Sequence, residues 1–181
     1  MQFVLAKDDD YAFIYDMMCR ARAKLIKNGI FQWNQSYPTA GMIRGDIING
    51  YTYLVHEGGK CVGFFITNDI CEDDVHGHIV WKYPDAPYLI LHRLCVEPDL
   101  QSHGLGQKIL AEFERQAAAA GKQCVRIDVF GTNAAAIHIY EKFGYGRVGS
   151  AVCDRGLFYI YEKNCSNSKN RDTAKQCPDF L

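Results

Sequence analysis

The sequence predicts an α/β (α+β) domain in which a mixed, mostly antiparallel sheet is flanked by helices, and three observations predict it. Tyr88-Leu-Ile-Leu-His-Arg-Leu-Cys-Val96 has the apolar density of a central strand and is stopped by Pro98. After a short polar loop, residues 104–120 place Leu105, Ile109, Leu110, Phe113 and Ala117 at helical spacing, with Gly121 as the stop. On either side of this strand–loop–helix unit, 51–56 and 61–68 alternate as strands across a turn, and 146–152 and 156–163 form a closing pair.

The remaining elements follow in order. Gln2 to Ala6 reads as a first strand, and Asp8 to Asn28 as a helix whose Asp8, Asp9 and Asp10 suit its positive N-terminus and which Gly29 ends. Ile30 to Pro38 is an aromatic loop, after which Thr39 caps a second helix to about Asn49-Gly50. Glu57-Gly58-Gly59-Lys60 is a hairpin turn, and 69–87 is an irregular excursion before the central strand. Lys122 to Phe130 is a further strand, and Asn133 opens a short helix closed by Gly144. From Asn164 the chain is polar and without periodicity, so the expected body is 1–163 and the expected mobile tail 164–181, with Phe180-Leu181 as a docking option.

Composition bounds the function. A chain of 181 residues with 48% hydrophobic and 23% charged content supports one domain with a sizeable core. A net charge of −1 argues against a dedicated nucleic-acid binder, no apolar run approaches a membrane span, and no basic segment precedes the apolar start of the chain, so a cytoplasmic location is expected. Eight cysteines, at 19, 61, 71, 95, 124, 153, 165 and 177, show no C-x-x-C pair, which argues against a structural zinc or a disulfide scaffold. Cys61, Cys95 and Cys124 fall in strand-like runs, where a thiol is a small hydrophobe. His76 and His78 beside Glu72, Asp73 and Asp74 offer metal-ligand chemistry, but the favoured reading is a solvated acidic hairpin tip, so no metal is expected.

The loop Gln101-Ser102-His103-Gly104-Leu105-Gly106 lies where strand gives way to helix. Unpaired amides and the helix dipole favour an anion there, and glycines let a diphosphate approach the backbone, so the amides of Ser102 to Gln107 are the expected diphosphate site. A dinucleotide fingerprint would need glycine at Ile109, and a Walker loop would need Gly-Lys-Ser/Thr; neither is present. What remains, Q-x-x-G-x-G, resembles the acyl-CoA-binding motif of the GCN5-related N-acetyltransferase (GNAT) family. Downstream, Asn133-Ala-Ala-Ala-Ile-His-Ile-Tyr140-Glu-Lys-Phe-Gly144-Tyr145 is similar to that family's second cofactor segment, and 133, 136, 137 and 140 share a helical face. The resemblance covers roughly residues 2 to 163, with its specific part at 88–146.

The resemblance implies a twisted sheet whose central strands splay, leaving a slot where the main chain of Leu94, Cys95 and Val96 bonds the pantetheine arm of acetyl-CoA, the cosubstrate. It also implies cofactor contacts at Gln101, Ser102, His103, Gly104, Leu105, Gly106, Gln107, Asn133, Ala136 and Tyr140. An aliphatic amine, with a pKa of about 10.4, arrives protonated. His92, placed on one strand face with Ile90, Leu94 and Val96, is the candidate proton acceptor, and a satisfied histidine between sheet and helix is the alternative. Glu97 is read as capping the loop and Asp128 as pairing with Arg93 or Arg126 sooner than acting as bases, with Asp128 kept as a substrate contact. A strand N–H near Leu94 to Val96 stabilises the oxyanion, and Tyr140 gives a proton or hydrogen bond to the departing sulfur. Trp33, Tyr37 and Phe31 either line the acceptor site or pack the loop; Asp85, Glu72 and Asp74 are read as solvated. The expected activity is acetyl transfer to a primary amine of a small molecule, peptide or protein. A non-catalytic acyl-CoA sensor is the alternative, with a homodimer among the partners considered.

Overall fold

The computed structural model describes residues 1–165, apart from the side chains of 73 and 74. Its elements are β1 (Gln2–Leu5), α1 (Tyr11–Lys27), α2 (Ala40–Ile48), β2 (Thr52–Glu57), β3 (Lys60–Asn68), α3 (Asp73–His76), β4 (Tyr88–Val96), α4 (Leu105–Ala119), β5 (Cys124–Phe130), α5 (Ala134–Lys142), β6 (Gly146–Cys153) and β7 (Gly156–Asn164). The strands form one seven-stranded mixed sheet in the order β1-β2-β3-β4-β5-β7-β6. Two compact units divide the described chain: one comprises 1–67 and 92–109, the other 68–91 and 110–165.

In the first unit, β1, β2 and β3 pair antiparallel. Gly58 and Gly59, at φ of +60° and +77°, supply the left-handed pair that a two-residue hairpin turn needs to match the strand twist. Asp8–Asp10 form a 3-10 turn that leads into α1, and Thr39 caps α2 by accepting the Met42 amide at 3.2 Å. The core of this unit joins Ile14, Met17 and Met18 of α1, Ile43 and Ile47 of α2, and Leu54, Phe64, Ile66 and Cys95 of the strands. Burying large side chains of this kind contributes about 1.5–3 kcal/mol each, which is why α1 and α2 hold to the sheet.

In the second unit Tyr88–Leu91 pair parallel with Cys124–Ile127, and β5, β7 and β6 run on antiparallel. That ladder is four residues long and stops at Leu91, although β4 continues to Val96, as the expected break between central strands requires. The excursion 69–87 is pinned by Arg126, whose guanidinium lies 3.9 Å from the Trp81 ring centroid and 3.7 Å from that of Tyr88. Its Nε donates to Glu162 Oε1 at 3.1 Å, and Glu162 Oε2 accepts the amides of Lys82 and Tyr83 at 2.8 and 3.1 Å. The Arg126 and Glu162 side chains are 3% and 0% exposed, and every partner that such a buried pair needs is present.

Four expectations change. The acidic hairpin tip is instead a short helix whose Val75 and His76 are buried, because His76 Nδ1 accepts the Glu72 amide at 3.0 Å and its ring lies 5.9 Å from Trp81. The ordered body runs past Lys163: Asn164 pairs with Cys124, and the amide of the buried Cys165 donates to Gln123 O at 2.7 Å. The rest of the expected tail, with Cys177 and Phe180-Leu181, lies outside the described residues. The simple alternation that put His92 on one face with Leu94 and Val96 is interrupted at Arg93, whose φ of +46° is left-handed. Finally, the Glu97 side chain makes no cap hydrogen bond to the turn it precedes; it pairs with an arginine of α1, as described below.

Candidate functional site

In the first unit, the end of β4 leads through the 3-10 turn Pro98–Leu100 into the loop 101–104 and α4. The turn is anchored by α1, one helical turn apart. Arg20 forks onto both carboxylate oxygens of Glu97, and Lys24 Nζ donates to Pro98 O at 2.6 Å. Gln101, the first residue of the motif, sends its Nε2 back to Val96 O at 3.0 Å and so ties the loop to the strand end. His103 Nδ1 lies 3.4 Å from Leu100 O. The backbone then takes left-handed values at Ser102 and Gly104, φ +72° and +74°, of which the second suits glycine.

These turns bring a row of amides to the N-terminus of a 15-residue helix. The first helical bond is from the Lys108 amide to Gly104 O at 3.1 Å. Among the described residues, the amides of Ser102, His103, Gly104, Leu105, Gly106 and Gln107 donate to no backbone acceptor. Six unpaired donors with the positive end of a helix dipole behind them form an anion site. Leu105 is buried and anchors the start of the helix, and the other loop residues stay partly or fully exposed.

On β4, His92 is 7% exposed, and Cys95 is 2% exposed with its thiol pushed well up by burial, hence inert. Leu94 and Val96 are half-buried. Trp33 sits in the core of the unit at 5% exposure, and Tyr37 packs against that core while its hydroxyl accepts from Arg93 Nε at 3.1 Å. Of the three aromatic residues expected near an acceptor, Phe31 is the exposed one, at 58%.

In the second unit, Asn133 caps α5, its Oδ1 accepting the Ala136 amide at 3.2 Å. Tyr140, two turns on, is 8% exposed and rings with Tyr145 and Tyr161 at centroid distances of 5.9 and 6.5 Å. Burial, with the negative charge of Asp128 second, raises its phenol well above the ordinary tyrosine range, so the hydroxyl stays protonated at physiological pH. Arg126, expected as an option for Asp128, takes Glu162 as its carboxylate, and Arg93 of the first unit pairs with Asp46. The anchors that sequence reasoning missed, Arg20, Lys24 and Asp46, carry no motif; their signal was only a basic or acidic residue on a helix face. Among the described residues no cluster of three His, Cys, Asp or Glu side chains could hold a metal ion, and no helix is long and apolar enough to cross a membrane.

Comparison with known proteins places this arrangement. The family model of the GNAT acetyltransferases matches residues 25–145. A mycothiol acetyltransferase of Gordonia bronchialis is 40% identical over 52 residues, a match that spans 29% of this chain and only 17% of that protein. Among solved structures, an acetyltransferase of the GNAT family from Streptococcus agalactiae is 27% identical with a TM-score of 0.78, over 90% of this chain and 94% of that one. The PaiA N-acetyltransferase of Thermoplasma acidophilum, solved in complex with coenzyme A, shares the fold at 16% identity and a TM-score of 0.64, over 90% and 98% of the two chains.

Proposed function

The chain belongs to the GNAT family of acetyltransferases, whose cosubstrate is acetyl-CoA, and from that premise we propose that it moves the acetyl group directly to a primary amine of a small molecule, peptide or protein. The observation that carries the reading is the row of unpaired amides at 102–107, which suits the diphosphate of the cosubstrate. Gln101 sets the loop against Val96, and the main chain of Leu94 to Val96 is assigned the pantetheine arm and the oxyanion.

A protonated amine must lose a proton before it attacks the thioester carbonyl. His92 is the acceptor we assign, directly or through water. The attacking nitrogen gives up its second proton to solvent, collapse of the tetrahedral intermediate breaks the carbon–sulfur bond, and the sulfur leaves as a thiolate that Tyr140 meets. Alkyl thiols titrate below a phenol that burial has raised well above its ordinary value, as it has Tyr140. Full transfer of its proton to the sulfur is therefore uphill. Tyr140 thus stabilises the thiolate as a hydrogen-bond donor and keeps its proton, and solvent protonates the sulfur after release. Asn133 and Ala136 hold the start of α5, and Phe31, exposed in the segment that follows α1, is the aromatic side chain we assign to the acceptor. The free thiols of the described cysteines fit a reducing compartment and support a cytoplasmic location.

The test incubates the full chain with acetyl-CoA and a panel of amines and reads free thiol. Amine-dependent thiol release is the expected result. Measurable acetyl-CoA affinity without amine-dependent release from any member of a broad panel would turn the assignment to a non-catalytic acyl-CoA sensor.

A further inference from the structure

Two non-glycine residues among those described have a left-handed backbone: Arg93, at φ +46°, and Ser102, at +72°. An L-residue there is disfavoured by roughly tenfold or more, so surrounding contacts must hold it. Ser102 opens the amide row. Arg93 lies inside β4, one residue before Leu94, and its own side chain supplies the hold. Nη1 donates to Asp46 Oδ2 at 2.7 Å, Nε donates to Tyr37 Oη at 3.1 Å, and the guanidinium carbon is 5.4 Å from the Tyr37 ring centroid. The Arg93 and Asp46 side chains are 10% and 16% exposed, so solvent screens this pair far less than a surface one.

Both anchors are themselves fixed. Asp46 O accepts the Tyr51 amide at 2.9 Å. The Tyr37 amide donates to Asn34 Oδ1 at 3.0 Å, the Asn34 amide donates back to Tyr37 O at 2.7 Å, and Arg22 Nη1 holds Asn34 O at 2.8 Å. A tie between β4 and α2 alone would leave the strand free to stay extended. Here the tie coincides with a strained residue at the threshold of the thioester segment.

We infer that Arg93, clamped by Asp46 and Tyr37, is a positioning residue that keeps β4 turned so that the main chain of Leu94 to Val96 meets the acyl thioester. The inference rests on the acyl-CoA reading above. Tyr37 on this assignment shapes the strand and not the acceptor.

Two substitutions separate the backbone effect from the tie. Arg93→Ala removes the clamp and leaves an L-residue, whereas Arg93→Gly removes the clamp but lets the chain take φ +46° without a Cβ clash. Calorimetry with acetyl-CoA and with its nucleotide half, 3′-phospho-ADP, reads them. Arg93→Ala should lose roughly tenfold in acetyl-CoA affinity and Arg93→Gly should recover most of that, both keeping their 3′-phospho-ADP affinity. Equal acetyl-CoA affinity of the Ala and Gly variants, or loss of 3′-phospho-ADP binding in either, would overturn the positioning role. If Arg93→Ala does not fold, Asp46→Asn decides: it should weaken acetyl-CoA binding in the parent chain and leave it unchanged in the Arg93→Gly background. A similar loss in both backgrounds refutes the clamp. Failure of the unsubstituted chain to bind either probe overturns the acyl-CoA reading and the clamp with it.

Discussion

Tyr140 combines burial, three-ring packing and the nearby charge of Asp128, and all of these act in one direction by keeping its hydroxyl protonated. Tyr140→Phe removes that hydroxyl and little else. Turnover should fall by something on the order of 10², with acetyl-CoA affinity within a few-fold, since the diphosphate is assigned to the 102–107 amides and not to Tyr140. The raised phenol also fixes a pH limit. Its folded pKa exceeds the unfolded value near 10, so its stabilising contribution is fully present below that value and is lost as pH climbs from there through the folded pKa. Steady-state rates should therefore show no descending limb from Tyr140 below about pH 10. Undiminished turnover in Tyr140→Phe, given an acceptor, would remove the residue from the chemistry.

At the scale of elements, α4 and its entry loop invite a substitution that separates binding from folding. Gly104 needs its left-handed φ of +74°, so a valine there would strain the backbone and confuse the two. Gly106 lies within the first turn of α4 and outside the left-handed set. Gly106→Val should weaken acetyl-CoA by roughly tenfold or more while the helix start still forms. Unchanged affinity in calorimetry would move the diphosphate away from these amides. The elements themselves were largely legible, because local chemistry writes their bounds. Tyr88 to Val96 ends before Pro98, Gly58-Gly59 dictates a hairpin, and Asn133 caps as its type suggests. The turn within β4 was not legible: arginine is no turn former, and Asp46, which holds Arg93, lies 47 residues away in sequence. The same reason hid the Arg20–Glu97 fork, whose partners are 77 residues apart, and the burial of His76 within a short helix is announced by no periodicity.

For the molecule as a whole, the end of the ordered body decides where it can be shortened. Asn164 completes the pairing of β7 with Cys124, and Cys165 is buried behind it. Truncation after Cys165 should leave the melting temperature and acetyl-CoA affinity unchanged, since the residues beyond it are mostly polar. Truncation after Lys163 removes a buried side chain and ladder bonds and should lower the melting temperature by several degrees, on the order of 2–4 °C per kcal/mol lost. A large fall on truncation after Cys165 would show that Phe180-Leu181 contributes to the body. The cysteines add a second property of the whole chain. Cys95 lies in one unit and Cys124 and Cys165 in the other; all three are sheltered, and burial lifts Cys124 to about 12 and Cys165 to about 11. An alkylating reagent acts on thiolate and cannot reach these three until the surrounding strands part. The molecule thus carries its own stopwatches, one thiol timing the breathing of the first unit and two timing that of the second.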